Sequence, residues 1–181
     1  MEGGDMTEDI TMRKVNLSGV APTPDDIKTI SESIGHKLPQ EYIDFISDPN
    51  AEYPAATFAA GVEAGRPHRS RVTAIFSSPE HLIREYIAAN LEQEQELEDF
   101  PVLTFHGSPH ISGLLPIAAT RNSGTSRLCL AVDEAHDDYG AVYFRHVSYD
   151  FGVNEYLRLA SSFTVFLKEL HASAALVKLD E

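Results

Sequence analysis

The chain has 181 residues, 14 basic and 28 acidic, for a net charge of −14 with histidines neutral. That balance argues against a nucleic-acid binder, which needs clustered Lys and Arg against phosphate, and it permits a strongly basic partner. A hydrophobic fraction of 43% suits a globular core, no apolar run reaches the roughly 18 residues of a membrane helix, and the one cysteine, Cys129, excludes an internal disulfide, so a cytoplasmic protein is expected.

Residues 1–15 are polar and Gly-containing and are expected to form a flexible N-terminus, with 16–181 as one α+β domain. They lack the basic-then-apolar pattern of a signal peptide. Val15, Leu17 and Val20 suggest a short edge segment. The first helix is predicted at Thr23-Pro24-Asp25-Asp26. Thr23 suits the N-cap, Pro24 the first helical position, and the two aspartates the positive end of the helix dipole. Ile27, Ile30 and Ile34 share a face, and Gly35 stops the helix. Leu38-Pro39 introduces a second helix with Tyr42, Phe45 and Ile46 on one face, ended by Asp48-Pro49.

Residues 51–70 show no firm period and read as loop, with one short strand near Thr57 and Phe58. Arg66, His68, Arg69 and Arg71 form a basic cluster that reads as a solvated loop. Val72–Phe76 carries a strand signal. Ser78-Pro79-Glu80 opens a third helix with Leu82, Ile83, Tyr86, Ile87 and Leu91 as its apolar face. This helix ends in Glu92, Glu94, Glu96, Glu98 and Asp99, acids that oppose the dipole there and predict a fraying end.

Phe100–Phe105 is a further strand candidate, followed by a loop through Gly113. Then three apolar runs, LLPIAAT, SRLCLAVD and AVYFRHV, are separated by Arg-Asn-Ser-Gly and by EAHDDYG. They read as a central three-stranded antiparallel meander. Ser148–Asn154 is a polar crossing, and Tyr156, Leu157 and Leu159 are apolar but short. Ser161 or Ser162 caps a last helix with Phe163, Phe166, Leu167 and Leu170 on its core face. The reading is a single α+β domain, a largely antiparallel or mixed sheet with about four helices packed around it.

Catalytic and metal motifs are sparse. His106 and His110 stand four apart, and His136 lies among Asp133, Asp137 and Asp138, a set that could serve a metal-dependent hydrolase. No HExxH or CxxC spacing accompanies them, so neither metal nor cofactor is expected. Cys129, between Leu128 and Leu130, reads as a buried small hydrophobe rather than a nucleophile. GxSxG, GxGxxG and P-loop patterns are absent, and the chain does not read as an enzyme.

Ordered segments carry a further signal: Leu38-Pro39 with Tyr42, Phe45 and Ile46; Leu115-Pro116-Ile117; Gly124, Leu128, Leu130 and Asp133; Gly140, Val142 and Tyr143; and Ser162-Phe163 with Phe166-Leu167. In this order the chain resembles the SUKH superfamily, the Smi/Knr-type domain. Pro49-Asn50-Ala51 stands where the family often has Asn-Gly-Gly, and Gly124-Thr125 where it often has Gly-Asp.

The resemblance implies a compact α+β domain with no catalytic site. Its members are mostly bacterial immunity proteins that neutralise toxins, frequently nucleases, from competing cells; eukaryotic members are regulatory interaction proteins. For this chain it implies a stoichiometric complex with a protein partner, a basic nuclease toxin domain, with no nucleic acid or membrane involved. The alternative is a regulatory or scaffolding module of the same fold with a non-toxin partner. The candidate contact residues are Asp133, Glu134, Asp137, Asp138, Tyr139 and Tyr149, with Glu92, Glu94, Glu96, Glu98 and Asp99.

Overall fold

The structure is a computed structural model that describes residues 11–63, 65–99, 104–106, 113–121, 126–148 and 153–176. Helix starts follow local polar chemistry. Helix α1, Pro24–Ile34, begins at a capping box: the Asp26 N–H donates to Thr23 Oγ1 at 3.2 Å, and the Thr23 N–H donates to Asp26 Oδ2 at 2.8 Å. It ends where the Gly35 N–H donates to the Ser31 carbonyl. Helix α2, Gln40–Ser47, starts after Pro39 and buries Tyr42 and Ile46. Burial raises the Tyr42 pKa, and its hydroxyl donates to the Phe76 carbonyl at 2.6 Å, so the buried phenol is satisfied.

Among the described residues the main sheet has seven strands. Strands β6 (Leu114–Thr120), β7 (Arg127–Ala131) and β8 (Val142–Ser148) are the three apolar runs and pair antiparallel in sequence order. β9 (Val153–Ala160) pairs antiparallel with β8, and β5 (Thr104–His106) pairs parallel with β9. On the other side β4 (Arg66–Ile75) pairs with β6, and β3 (Thr57–Glu63) pairs with β4. The sheet curls until β3 approaches β8 and β9, and Phe58 sets its ring edge-on to Phe144 and Phe166. A separate pair, β1 (Met12–Lys14) with β2 (Glu52–Pro54), leans on β4, where Arg13 and the Tyr53 hydroxyl both donate to the Thr73 carbonyl.

This is the α+β fold expected, with a mixed sheet and four helices among the described residues. The main core lies between the sheet and α1, α2 and α4 (Phe163–Leu176), and it includes Leu82 of α3 (Pro79–Asp99). A smaller cluster of Leu114, Cys129, Ala131, Ala141, Tyr143 and Tyr156 occupies the reverse face of the meander. No helix among the described residues is long and apolar enough to cross a membrane.

Four local readings are corrected. Residues 51–70, read as loop, contribute β2, β3 and half of β4. The basic cluster therefore sits on a strand, with Arg66 and Arg69 exposed and His68 and Arg71 half-buried. The short apolar stretch at Tyr156–Leu159 belongs to the eight-residue β9. The N-terminal strand is Met12–Lys14 rather than a segment at Val15–Val20; Val15 is buried, whereas Leu17 and Val20 are exposed. On α3, Leu82 and Ala89 are buried but Ile87 and Leu91 are not. Helix α3 runs to Asp99.

Helix α4 is tied to α2 at its first turn. Ser162 Oγ accepts the Val165 N–H, and Glu41 Oε2 accepts the Thr164 N–H at 3.0 Å. That N–H holds the Glu41 carboxyl below the usual carboxylate range. A carboxylate with a depressed folded pKa adds stability above its unfolded value, and that increment is lost as pH falls through the folded value. Glu41→Ala should therefore lose about 0.5–1 kcal/mol at neutral pH, the scale of a helix cap. In denaturant titrations its gap to wild type should shrink as pH falls below 4.5, the ordinary value for this group.

Candidate partner-binding loop

The connection between β7 and β8 is longer than a tight hairpin and is closed at its base by the ladder. The Ala131 N–H donates to the Ala141 carbonyl, and the Gly140 N–H donates back to Ala131. Gly140, at φ +88°, makes the return possible. Within the loop, His136, Tyr139 and Ala141 N–H groups donate in turn to the carbonyls of Asp133, His136 and Asp138. Three consecutive turns result.

Side chains fix this path. Asp133 Oδ1 accepts the Ala135 N–H at 3.0 Å, an Asx turn, and its Oδ2 lies 3.3 Å from His136 Nε2. Asp138 Oδ2 accepts the Tyr143 hydroxyl at 2.8 Å. The Tyr139 hydroxyl donates to the Lys37 carbonyl at 3.0 Å, which ties the loop to the α1–α2 junction. Burial, and then the Glu134 charge, raises the Tyr139 pKa, so this tether keeps its proton at neutral pH. From the other side the Gly113 carbonyl accepts the Val132 N–H at 2.7 Å.

The four acids thus divide. Asp133 and Asp138 are half-buried and shape the loop, while Glu134 and Asp137 are exposed. Tyr139 is half-buried and acts as a tether. Tyr149 lies outside the described residues. Glu92, Glu94, Glu96, Glu98 and Asp99 occupy the last turns of α3, a different element that packs on α1 and β6. The loop set and the helix set are therefore separate groups in the fold.

The other sequence candidates are placed as follows. His106 ends β5, His136 is held by Asp133, and His110 lies outside the described residues. No group of His, Cys, Asp and Glu among the described residues could hold a metal. Cys129 is buried opposite Pro116 and Tyr143, and burial pushes its thiol up to about 12, far from the thiolate a nucleophile needs.

Sequence reasoning missed a buried polar group. Arg145 and His146 are 1% and 2% exposed. The His146 ring stacks on His68 at 4.5 Å, and its Nδ1 lies 3.4 Å from Glu155 Oε1. Arg145 lies 6.0 Å from the Tyr156 ring centre and faces Arg127, whose Nε is 3.8 Å from Glu85. The signal was present in AVYFRHV: an arginine and a histidine side by side inside an apolar strand.

Residues 21–169 match the SMI1 / KNR4 family (SUKH-1), a span from just before α1 into α4, and the chain belongs to that family. A comparison with curated proteins finds no match.

The contact under the loop is testable. Gly113 has φ +73°, and a Cβ there would lie 2.6 Å from Asp133 Cβ. Gly113→Ala combines backbone strain with a clash, so a loss of about 2–3 kcal/mol is expected in urea unfolding. Amide exchange across residues 133–139 should rise more than in α1.

Proposed function

We propose, taking membership of the SUKH-1 family as the premise, that this chain is an immunity protein that neutralises a cognate toxin. The toxin is a basic domain, most simply a nuclease, and neutralisation is by a one-to-one complex in the cytosol. Catalysis plays no part: the acidic surface occludes a surface built for nucleic acid by presenting the same charge sign. The observation that carries this reading is the pre-shaped acidic loop. Glu134 and Asp137 face solvent on a segment already held by Asp133, Asp138 and Tyr139. A loop held before binding loses little conformational entropy on binding, so its charges act at full effect. The chain's net charge of −14 adds a long-range field of the same sign.

Family membership itself extends to protein–protein interaction, as an immunity protein or as a regulatory module. A regulatory module would bind a partner that is not a toxin. Co-expression with the toxin domain encoded beside this gene distinguishes the two: rescue of growth is expected. In stopped-flow mixing with that domain, Glu134→Lys/Asp137→Lys should slow association at least tenfold at low salt. The wild-type rate should itself fall as salt rises. Absence of rescue would reject the toxin partner, and indifference to the double charge reversal would reject the loop.

A further inference from the structure

The acids of this chain are not spread evenly. None of the 28 falls within residues 64–79 or 100–132. The fold sets these two stretches side by side, because β4 pairs with β6 and β6 with β7. Three adjacent strands therefore carry no carboxylate at all, in a molecule of net charge −14. The basic cluster of β4 lies in that part of the sheet.

Strand register gathers the arginines. Val72 opposes Thr120, and the Arg121 N–H donates to the Arg71 carbonyl at 3.0 Å, so Arg71 and Arg121 stand opposite each other on neighbouring strands. Alternation puts Arg69 on the same face as Arg71. Arg127 opposes Ala119, two residues before Arg121, and shares that face. Arg69 and Arg121 are exposed, and Arg71 is half-buried. Glu85 of α3 approaches Arg127 Nε at 3.8 Å, but it also lies 3.9 Å from Arg84 Nε, so one carboxylate is divided between two guanidinium groups. Among the described residues neither Arg71 nor Arg121 is paired with a carboxylate, and Arg71 Nε is buried without an acceptor. Like charges directly opposite each other on a sheet repel. With β-carbons about 5 Å apart, two guanidinium forks can hold one oxyanion between them, which replaces the repulsion by charge-assisted hydrogen bonds.

We infer that this sheet margin, at Arg69, Arg71 and Arg121, is a docking site for a short acidic segment of a partner protein, whose carboxylate or phosphoryl oxygens sit between Arg71 and Arg121. Arginine clusters recognise acidic and phosphorylated motifs in this way. A nucleic acid is a poorer occupant, because its phosphates would run on past the arginines into the field of a molecule of net charge −14. A short segment keeps its charge over the arginines. The site lies at the Arg127 end of β7, whereas the 133–139 loop follows the other end, Ala131. It is a second surface of opposite sign and does not depend on the toxin reading.

The probes are a ten-residue peptide of alternating Glu and Gly, matched peptides with Gln or phosphoserine in place of Glu, and a ten-nucleotide oligothymidine. The full chain is titrated with each by calorimetry at low salt. The Glu peptide is expected to bind one to one, more weakly as salt rises, and the Gln peptide at least tenfold more weakly. A phosphoserine peptide at least tenfold tighter than the Glu peptide assigns the site to phosphoryl oxygens; a smaller gain assigns it to carboxylates. Arg121→Glu should weaken the Glu peptide at least tenfold with no loss of melting temperature, because the side chain is exposed. Arg71→Gln, which removes the opposing guanidinium, should weaken it likewise. No binding of either acidic peptide, equal binding of the Glu and Gln peptides, or wild-type binding by Arg121→Glu would each overturn the inference. Oligothymidine binding tighter than both acidic peptides would assign the face to nucleic acid and overturn it as well. None of these outcomes touches the loop reading, which is scored against the toxin domain with its own variant.

Discussion

Burial of the meander on both faces is the constraint on which the rest of the molecule depends. Leu115, Leu128, Leu130, Val142 and Phe144 join the main core, while Leu114, Cys129, Ala131 and Tyr143 form the cluster behind. The alternation follows from pairing: Leu128 opposes Phe144, and Cys129 opposes Tyr143, on opposite sides of one sheet. Each Leu, Val or Phe among them contributes about 1.5–3 kcal/mol when taken from water. A sheet closed on both sides leaves little room for a solvent-facing polar site on its central strands. Recognition therefore falls to the connections, the helix exteriors and the sheet margins. Where polar side chains do enter, Arg145 lies near the Tyr156 ring and His146 stacks on His68 beside Glu155, because a buried polar or charged group left without partners is costly.

The β7–β8 connection shows what the rigid strands permit. It has little core of its own. Its shape comes from a ladder closed at the base and from polar ties along its length. Those ties use two of its four acids and its tyrosine. An acid-rich loop is thus not a uniform negative patch: carboxylates that accept N–H and O–H groups are structural, and only those left outward can address a partner. The tie from Tyr139 to Lys37 also makes the loop continuous with the α1–α2 junction, so the Leu38-Pro39 signature and the EAHDDYG loop lie side by side in space although far apart in sequence.

What the sequence revealed follows the range of the forces involved. Helix starts were legible because caps act within a few residues, as in Thr23 with Asp26 and Ser162 with Val165. The meander was legible because two-sided burial writes itself as unbroken apolar runs. Strands β3, β4 and β9 were harder to read. They are exposed along part of their length, so Arg66, Arg69 and Arg158 interrupt the apolar pattern. They are held by distant partners, as Phe58 is by Phe144 and Phe166. The division of acids within the loop was equally hidden, since Asp133 and Asp137 are the same residue type and differ only in what surrounds them.

Helix α3 is where local pattern and tertiary structure part most clearly. Its five apolar positions were read as one core face, but they span a wider arc than one contact can cover. Leu82 and Ala89 face inward, while Ile87 and Leu91 stay half in water. Exposed apolar area forgoes about 25 cal/mol for each Å² that burial would have gained. Carboxylates in a last turn each weaken it by about 0.3–1 kcal/mol. Both penalties fall on the same half of the same helix. The inward face packs on α1 and β6, and the helix runs to Asp99. An apolar surface held in water by the fold behind it gains more from being covered than a polar one.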